Sequence, residues 1–279
     1  MKALILQMRG AGDSSRAVEQ QEYLEYTGLA PNQIDFADLF DQPGFPPERL
    51  LDYGLLFIGG ISRDKPSELS WPAHRFPFIQ NLRRLMRLAI EKKVPSLLSC
   101  GGFAIAGDML GAKTYGKSEN FELGVYPLRK TEAARRDVFL RPVSDGLNMV
   151  LGHVKYFVET PPGTELLFYT NTYADRVPVQ AFKVTGAPFY AFQGHPEISC
   201  YELAERVKPM RYRRNYFPKR PGHAHDAQNG YNDEAYKAFC RLQADTSEAQ
   251  GLLKRFVKLV EEGAFSPPIQ SSPDRETEM

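Results

Sequence analysis

The chain is poor in cysteine. Only three of its 279 residues are cysteines, Cys100, Cys200 and Cys240, and they lie far apart. A small, odd number with wide spacing argues against a disulfide framework and is typical of a reducing cytoplasm. The sequence has no Cys-x-x-Cys pair, so a zinc site built on cysteines is disfavoured. We therefore expect a cytoplasmic protein whose fold depends on its core rather than on cross-links.

The sequence also lacks an excess of charge and a long hydrophobic run. Its formal net charge is +1, so no strong overall field favours nucleic acid or a membrane surface. The longest apolar runs, such as 54–60, are far too short to span a bilayer. The apolar stretch near the N-terminus is too short for a signal peptide and is interrupted by Gln7 and Arg9. We expect a buried first strand there, and neither a membrane protein nor a nucleic-acid-binding one.

The first 110 residues alternate between apolar, strand-like segments and helical ones. Helical spacing of apolar residues is clearest in 77–92, at Ile79, Leu82, Met86 and Ile90. The predicted strands are 2–8, 33–36, 55–58 and 95–99, and the predicted helices are 15–27, 77–92 and 101–110. This alternation predicts an α/β fold, with a mostly parallel sheet covered by helices on both faces.

The second half of the chain has a different pattern. Residues 121–193 contain strand candidates separated by turn residues, with little helical period. We interpret them as an antiparallel extension that leads back into the sheet. Helical patterns return at 199–207 and 232–262, which predicts a helical addition near the C-terminus. The last residues, 266–279, are rich in proline, serine and charge and are predicted to be disordered.

Two short segments carry the clearest chemistry: Ser-Cys-Gly-Gly at 99–102 and Gly-His-Pro-Glu at 194–197. The first places Cys100 between a predicted strand and a predicted helix, where the helix N-terminus favours the thiolate. The second places His195 and Glu197 on one face of an extended stretch, because alternate residues of a strand point the same way. A thiol, a base and a carboxylate that orients the base are what acyl transfer through a cysteine requires.

Glycines beside these segments suit an oxyanion hole. The backbone N–H of Gly101 follows the nucleophile, and a glycine of the pair at 59–60 ends another strand of the same predicted sheet. Each feature also has a plainer interpretation: a small buried cysteine, a chance His-Pro-Glu and a simple glycine turn. Their joint occurrence, in this order and on these elements, favours the catalytic interpretation.

Further segments follow in the order of a known family. They are 52–60, 94–102, 110–113, Glu-Leu-Gly at 122–124, 162–167, 180–182 and 193–197. With them, residues 1–207 resemble the class I glutamine amidotransferases, and more closely the stand-alone branch similar to the glutaminase domain of GMP synthase. The resemblance implies a flavodoxin-like sheet over 1–207. It leaves 208–265 as a helical extension packed on the same domain.

The resemblance also implies roles for individual residues. Cys100 would be the nucleophile, His195 the base and Glu197 the orienting acid. The residues implied for oxyanion stabilisation and substrate binding are Gly59, Gly60, Gly101 and Phe103, with Gly60 and Gly101 as the oxyanion donors. Enzymes of this family take the side-chain amide of glutamine through a γ-glutamyl thioester and release ammonia. They need no cofactor and no metal for this reaction.

Two positions beside the nucleophile depart from the family pattern. The family reads Gly-x-Cys-x-Gly-x-Gln, whereas Leu98 replaces the first glycine here and Ala104 replaces the glutamine. That glutamine typically helps to hold the amino-acid end of the substrate. The substrate therefore stays open between glutamine, another γ-glutamyl compound and another amide. A γ-glutamyl peptidase acting on conjugates and a catalytically degenerate binding subunit stay open as alternatives.

Partners follow from what the chain would release. No Gly-x-x-x-x-Gly-Lys-Ser/Thr stretch is present, so no ATP-using synthase domain is visible. An acceptor of ammonia would then be a synthase on another chain, and the alternative is a plain hydrolase. Whether the chain forms a homo-oligomer stays open.

Polar residues outside the two segments have weaker cases. His153 and Glu122 are interpreted as structural rather than catalytic. A basic run within 208–220 alternates with aromatic residues, and a solvated loop or partner contact explains it better than a nucleic-acid patch. His223 and His225 are two apart but lack the neighbouring ligands that a metal site needs.

Overall fold

The computed structural model describes most of the chain. The described residues are 1–61, 71–116, 122–153, 155–172, 177–209, 213–214, 217, 219, 221–222, 228–241 and 244–265. The predicted disordered tail at 266–279 and the histidines His223 and His225 lie outside them, as do Arg211 and Arg220 of the basic run. Among the described helices, none has the length and apolar character needed to cross a membrane.

Eleven strands and seven helices are the main elements of the described residues. The strands are β1 (Ala3–Met8), β2 (Ile34–Asp38), β3 (Leu55–Ile61), β4 (Ser96–Ser99), β5 (Thr114–Gly116), β6 (Glu122–Lys130), β7 (Leu147–His153), β8 (Lys155–Phe157), β9 (Thr164–Tyr169), β10 (Val179–Val184) and β11 (Phe189–Phe192). The helices are α1 (Ser15–Thr27), α2 (Ile79–Glu91), α3 (Gly101–Met109), α4 (Glu132–Arg136), α5 (Cys200–Val207), α6 (Asp233–Cys240) and α7 (Ser247–Glu261).

The strands form one sheet with a parallel half and an antiparallel half. Its order is β2-β1-β3-β4-β11-β10-β9-β6-β7, and β8 pairs with both β5 and β10. Neighbours from β2 to β11 are parallel, and those from β11 to β7 are antiparallel. The prediction of an α/β fold with a mostly parallel sheet and an antiparallel extension is confirmed.

Apolar side chains cover both faces of the sheet. Alternate residues of β3 point to opposite faces, so that Leu56 and Ile58 pack under α2 and α3, while Leu55 and Phe57 pack under α1 and α7. Helix α7 comes from the C-terminal part of the chain, and its residues Leu252, Leu253, Phe256 and Val257 are buried in this second cluster. The last helix of the predicted C-terminal helical region, α7, therefore covers one face of the same sheet.

Several local predictions need correction. β3 does not stop at Ile58 but continues through Gly59 and Gly60 to Ile61. The strand β7 and the short helix α4 were not predicted, and the predicted helix at 232–262 is two helices, α6 and α7. β7 pairs with β6 along its whole length, from Leu147 to His153. A strand held by such a neighbour needs no strong pattern of its own.

Gly107 in α3 provides a test of how tightly the helix packs on the antiparallel half of the sheet. A Cβ atom at this position would lie 2.2 Å from Cε2 of Phe157, which is fully buried. We expect Gly107→Ala to lower the free energy of unfolding by about 1–3 kcal/mol, because the core must shift to accept the methyl group. Urea denaturation measures this. The matched control is Gly251→Ala in α7, where nothing lies within 4 Å, and there we expect no loss. Equal stability of both variants would show that Gly107 does not pack tightly against the ring of Phe157.

Candidate active site

Cys100 lies in a strained turn between β4 and α3. Its backbone has φ +44° and ψ −94°, a conformation that residues other than glycine rarely adopt. The N–H of Cys100 donates to the carbonyl of Phe192 at the end of β11 (2.9 Å), which holds the turn at the carboxyl edge of the parallel strands. Strain of this kind, at a sharp turn from strand to helix, exposes a nucleophile above the sheet.

The glycines after Cys100 allow α3 to lie directly on β3. A Cβ atom on Gly101 would be 2.9 Å from the backbone nitrogen of Ile61, and one on Gly102 would be 3.0 Å from the carbonyl oxygen of Ile58. Both contacts are with backbone atoms, which cannot move aside as a flexible side chain can. The N-terminus of α3 is therefore fixed against the end of β3, with Cys100 beside it.

His195 and Glu197 form a buried pair. Nδ1 of His195 lies 2.7 Å from Oε1 of Glu197, and the two residues are 2% and 0% exposed. The N–H of His195 donates to the carbonyl of Val150 in β7 (2.9 Å), and the N–H of Ile198 donates to the carbonyl of His195 (3.3 Å), which closes a turn over 195–198. The imidazole and the carboxylate are neighbours, as the sequence predicts, but the predicted extended stretch needs correction: the two side chains meet across a turn.

The charges at the site favour a protonated imidazole. Burial alone would lower the pKa of His195, but the charges of Cys100 and Glu197 next to it raise this pKa to about 9. Burial would raise the pKa of Glu197, yet the interaction with His195 holds it below its usual value. Near neutral pH the carboxylate is therefore ionised and the imidazole is charged. An imidazolium beside Cys100 is the setting that stabilises a thiolate.

A second buried ion pair lies close to the imidazole. Both nitrogens on one side of the Arg9 guanidinium reach the Glu19 carboxylate, with Nη2–Oε1 at 2.7 Å and Nε–Oε2 at 3.2 Å. Gly59 and Gly60 run beside it. A Cβ atom on Gly59 would be 2.5 Å from Oε1 of Glu19, and one on Gly60 would be 3.0 Å from both Nη2 of Arg9 and Cε1 of His195. The two glycines therefore let the strand pass the buried pair and the imidazole.

A cavity of about 350 Å³ opens beside Cys100 and His195. It lies between the start of α1 and the helix α5, at the edge where β1, β3 and β4 end. Its charged lining residues are Arg9, Asp13, Glu202, Glu205 and Arg206. The strand order β2-β1-β3-β4 changes direction between β1 and β3. In open α/β sheets, ligands bind at the carboxyl edge beside such a point.

Phe103, which was expected to bind substrate, does not line the cavity, and neither do Glu122 and His153. Phe103 is fully buried and packs against Phe157 and Phe182, with ring centroids 5.1 and 5.2 Å away, so its ring fills the core behind α3. Glu122 and His153 form a separate buried pair at 3.0 Å, and neither lines the cavity. In the described part of the chain, no group of three or more His, Cys, Asp or Glu residues converges as metal ligands would.

Three residues at the site were missed by sequence reasoning. Ser99 donates to Oε1 of Glu197 (3.2 Å), Arg9 lines the cavity, and Tyr23 of α1 is buried beside Ser99. A charged residue at the end of an apolar strand was the available signal for Arg9. The segment that contains Ser99 was singled out, but only a structure brings Glu197 within reach of its hydroxyl.

Comparison with known proteins shows the fold. No family model and no curated protein matches the sequence. Among solved structures, a glutamine amidotransferase from Thermotoga maritima superposes with a TM-score of 0.63 at 18% identity, covering 94% of this chain and 99% of that one. The fold is that of the glutamine amidotransferases.

Two further structures with this fold are similar over nearly the whole chain. A glutamine amidotransferase from Methylobacillus flagellatus has a TM-score of 0.63 at 15% identity and covers 92% of this chain and 94% of its own. A putative GMP synthase subunit from Thermoplasma acidophilum has a TM-score of 0.58 at 12% identity and covers 95% and 96%. Each of these structures therefore matches more than nine-tenths of this chain and of its own length.

Proposed function

We propose that the chain is an amidotransferase-type amide hydrolase with Cys100 as nucleophile, His195 as acid and base, and Glu197 as the residue that orients His195. The observation that carries the proposal is the buried pair of His195 and Glu197, with Nδ1 and Oε1 2.7 Å apart, next to a cysteine in a strained strand-to-helix turn. The amidotransferase fold, shared with structures that cover more than nine-tenths of the chain, supports it.

The chemistry follows from these charges. The thiolate attacks the carbonyl carbon of a side-chain amide, so that a C–S bond forms and the carbonyl oxygen takes up negative charge. We propose that the N–H groups of Gly60 and Gly101 stabilise this oxygen. The imidazolium of His195 then gives its proton to the departing nitrogen as the C–N bond breaks. Water, deprotonated by the neutral imidazole, then adds to the thioester, the C–S bond breaks, and the acid leaves with the thiolate and the imidazolium restored.

Glutamine and γ-glutamyl conjugates are the two candidate substrates. For glutamine the leaving group is ammonia, which needs about the space of one water molecule, roughly 30 Å³ in the liquid. The cavity beside Cys100 holds about 350 Å³, which accommodates a glutamyl group together with a larger amine. This volume, and Ala104 in place of the family's glutamine, favour the γ-glutamyl peptidase as second candidate.

Labelling with a glutamine-analogue alkylator, such as a diazo-ketone, tests the proposal. Intact mass spectrometry is expected to show a single adduct on Cys100, absent in Cys100→Ser, with Cys200 and Cys240 as internal controls. Assays for ammonia from glutamine and for free amine from γ-glutamyl conjugates then distinguish the two substrates. Equal, slow reactivity of all three cysteines toward every alkylator would overturn the catalytic proposal.

We also propose a partner protein and a cellular location for the enzyme. If ammonia is the product, we propose that a synthase on another chain takes it up. One of the similar structures is described as a subunit of a GMP synthase, and a subunit works with a second chain. This supports a separate partner. We propose that the enzyme works in the cytoplasm, as the cysteine content of the sequence predicts.

A further inference from the structure

Ser99 gives the carboxylate of Glu197 a second side-chain hydrogen bond. Its Oγ donates to Oε1 of Glu197 at 3.2 Å, and this is the same oxygen that lies 2.7 Å from Nδ1 of His195. Ser99 is fully buried at the end of β4, beside Phe192 of β11 in the parallel ladder. The hydroxyl therefore sits on a rigid part of the sheet, next to the nucleophile in sequence.

The direction of this hydrogen bond follows from its acceptor: an ionised carboxylate has no proton to donate, so the single proton of the Ser99 hydroxyl goes to Glu197. Tyr23 of α1, 1% exposed, packs beside Ser99. Burial and the charge of Glu197 raise the pKa of Tyr23 well above its usual value, so that the phenol keeps its proton. Tyr23 therefore places no second negative charge beside Glu197.

Burial makes the ionised form of Glu197 unfavourable unless other groups stabilise its charge. It is fully buried, and burial favours the neutral acid. A neutral or rotated Glu197 would neither hold the imidazole in place nor stabilise its charge. A hydroxyl that donates to the carboxylate opposes both changes, because hydrogen bonds to an ionised acceptor are stronger than those to a neutral one.

We propose that Ser99 is a positioning residue that holds Glu197 ionised and oriented, so that His195 keeps Cys100 as a reactive thiolate. The inference rests on the proposed function but concerns a residue outside the three that would act on the substrate. It assigns to the position before the nucleophile a role in setting thiol reactivity.

The test measures thiol reactivity and needs no knowledge of the substrate. The rate constant for alkylation of Cys100 by iodoacetamide is followed by intact mass from pH 5.5 to 9.5 in the purified chain. In Ser99→Ala we expect the rate at pH 6.5 to fall about tenfold. Loss of one hydrogen bond to the Glu197 carboxylate would raise the pKa of the Cys100 thiol by about one unit, and the thiolate fraction would fall accordingly. The pH at half-maximal rate should move up toward that of an ordinary thiol.

Two variants separate positioning from a general effect on folding. Ser96→Ala removes an equally buried hydroxyl from the same strand, one that donates to the carbonyl of Val94 (2.8 Å) and not to the site. It is expected to alkylate at the wild-type rate. Ser99→Thr keeps the hydroxyl and is expected to restore most of the low-pH reactivity. Once a substrate is identified, Ser99→Ala should lower kcat with KM within about twofold.

The outcomes distinguish the two proposals. Wild-type reactivity in Ser99→Ala, with an activated Cys100 in the wild type, would overturn the role of Ser99 and leave the proposed function intact. A wild-type Cys100 that reacts no faster than the exposed Cys240 would overturn the proposed function itself. A loss that Ser96→Ala reproduces would show a structural effect and would overturn the positioning role.

Discussion

Replacement of Cys100 by alanine is expected to abolish amide hydrolysis. The thiol is the atom that bonds to the substrate carbonyl, so without it no thioester forms. Removal of a nucleophile that acts as a unit with its base lowers kcat by about 10³–10⁶ in well-studied hydrolases. Steady-state release of ammonia or amine measures this, and acid quenching followed by mass spectrometry should find the acyl adduct in the wild type only.

The control for this variant is Cys240→Ala. Cys240 is exposed at the end of α6 and does not line the cavity, so its loss should leave kcat/KM unchanged. Unchanged thermal unfolding of Cys100→Ala would show that the fold is retained. Residual activity above about a tenth of the wild-type value would exclude covalent catalysis at Cys100, because less than 1.4 kcal/mol of transition-state stabilisation would then come from the thiol.

Replacement of Glu197 by glutamine is expected to have the next largest effect. The amide is almost the same size but uncharged, and it can donate to Nδ1, which favours the wrong imidazole tautomer. In serine hydrolases the corresponding change costs about 10⁴ in kcat, and we expect a loss of about 10²–10⁴ here. The pH dependence should change as well, because the charge of Glu197 is one of the causes that raise the pKa of His195 to about 9.

The sign of that change is fixed by linkage. His195 is protonated below its pKa, so the imidazolium is present at neutral pH and is lost as the pH rises through about 9. Without the Glu197 charge this loss occurs at lower pH, and rapid alkylation of Cys100 should be confined to more alkaline solutions, where the thiol ionises by itself. An unchanged pH profile in Glu197→Gln would contradict the assigned role.

Glu122→Gln is the matched control, because Glu122 is also a buried carboxylate paired with a histidine. It lies 3.0 Å from His153 and accepts hydrogen bonds from Thr172 (2.7 Å) and Gln180 (2.9 Å). None of these residues lines the cavity. We expect this variant to lose folding stability, since a buried network is disrupted, while the pH dependence of Cys100 alkylation stays that of the wild type.

Much of the fold could be predicted because each element carried its own signal. Helix α1 coincides with its predicted range, and β1, β4, α2 and α3 differ from theirs by at most two residues at either end. β7 could not be predicted in this way, because its pairing with β6, rather than a local pattern, stabilises it. α4 was missed although Thr131 caps its N-terminus and accepts a hydrogen bond from the N–H of Ala134. The break between α6 and α7 likewise depends on where each helix packs: α6 belongs to a cluster with α5, and α7 to the face of the sheet.

At the candidate site, the sequence by itself determined which groups are present and in what local setting. A cysteine before a helix and a histidine two residues from a glutamate depend on short-range geometry, which residue types and spacing control. The extended stretch predicted for the second pair is a turn in the structure. Phe103 shows the limit of such reasoning. Its position three residues after the nucleophile did not reveal whether its ring faces the cavity or the core, and the structure places it in the core.

Only the tertiary structure decided how the groups act on one another. The pairing of β4 with β11 brings Ser99 and Cys100 beside a segment nearly a hundred residues later in the chain. Burial by itself would lower the pKa of His195, but the charges of Cys100 and Glu197, which no solvent screens in this position, raise it to about 9. The cavity exists because α1 and α5 meet at the same edge of the sheet. Contacts between residues distant in sequence, and the exclusion of water that follows, are properties of the folded chain and are absent from any local pattern.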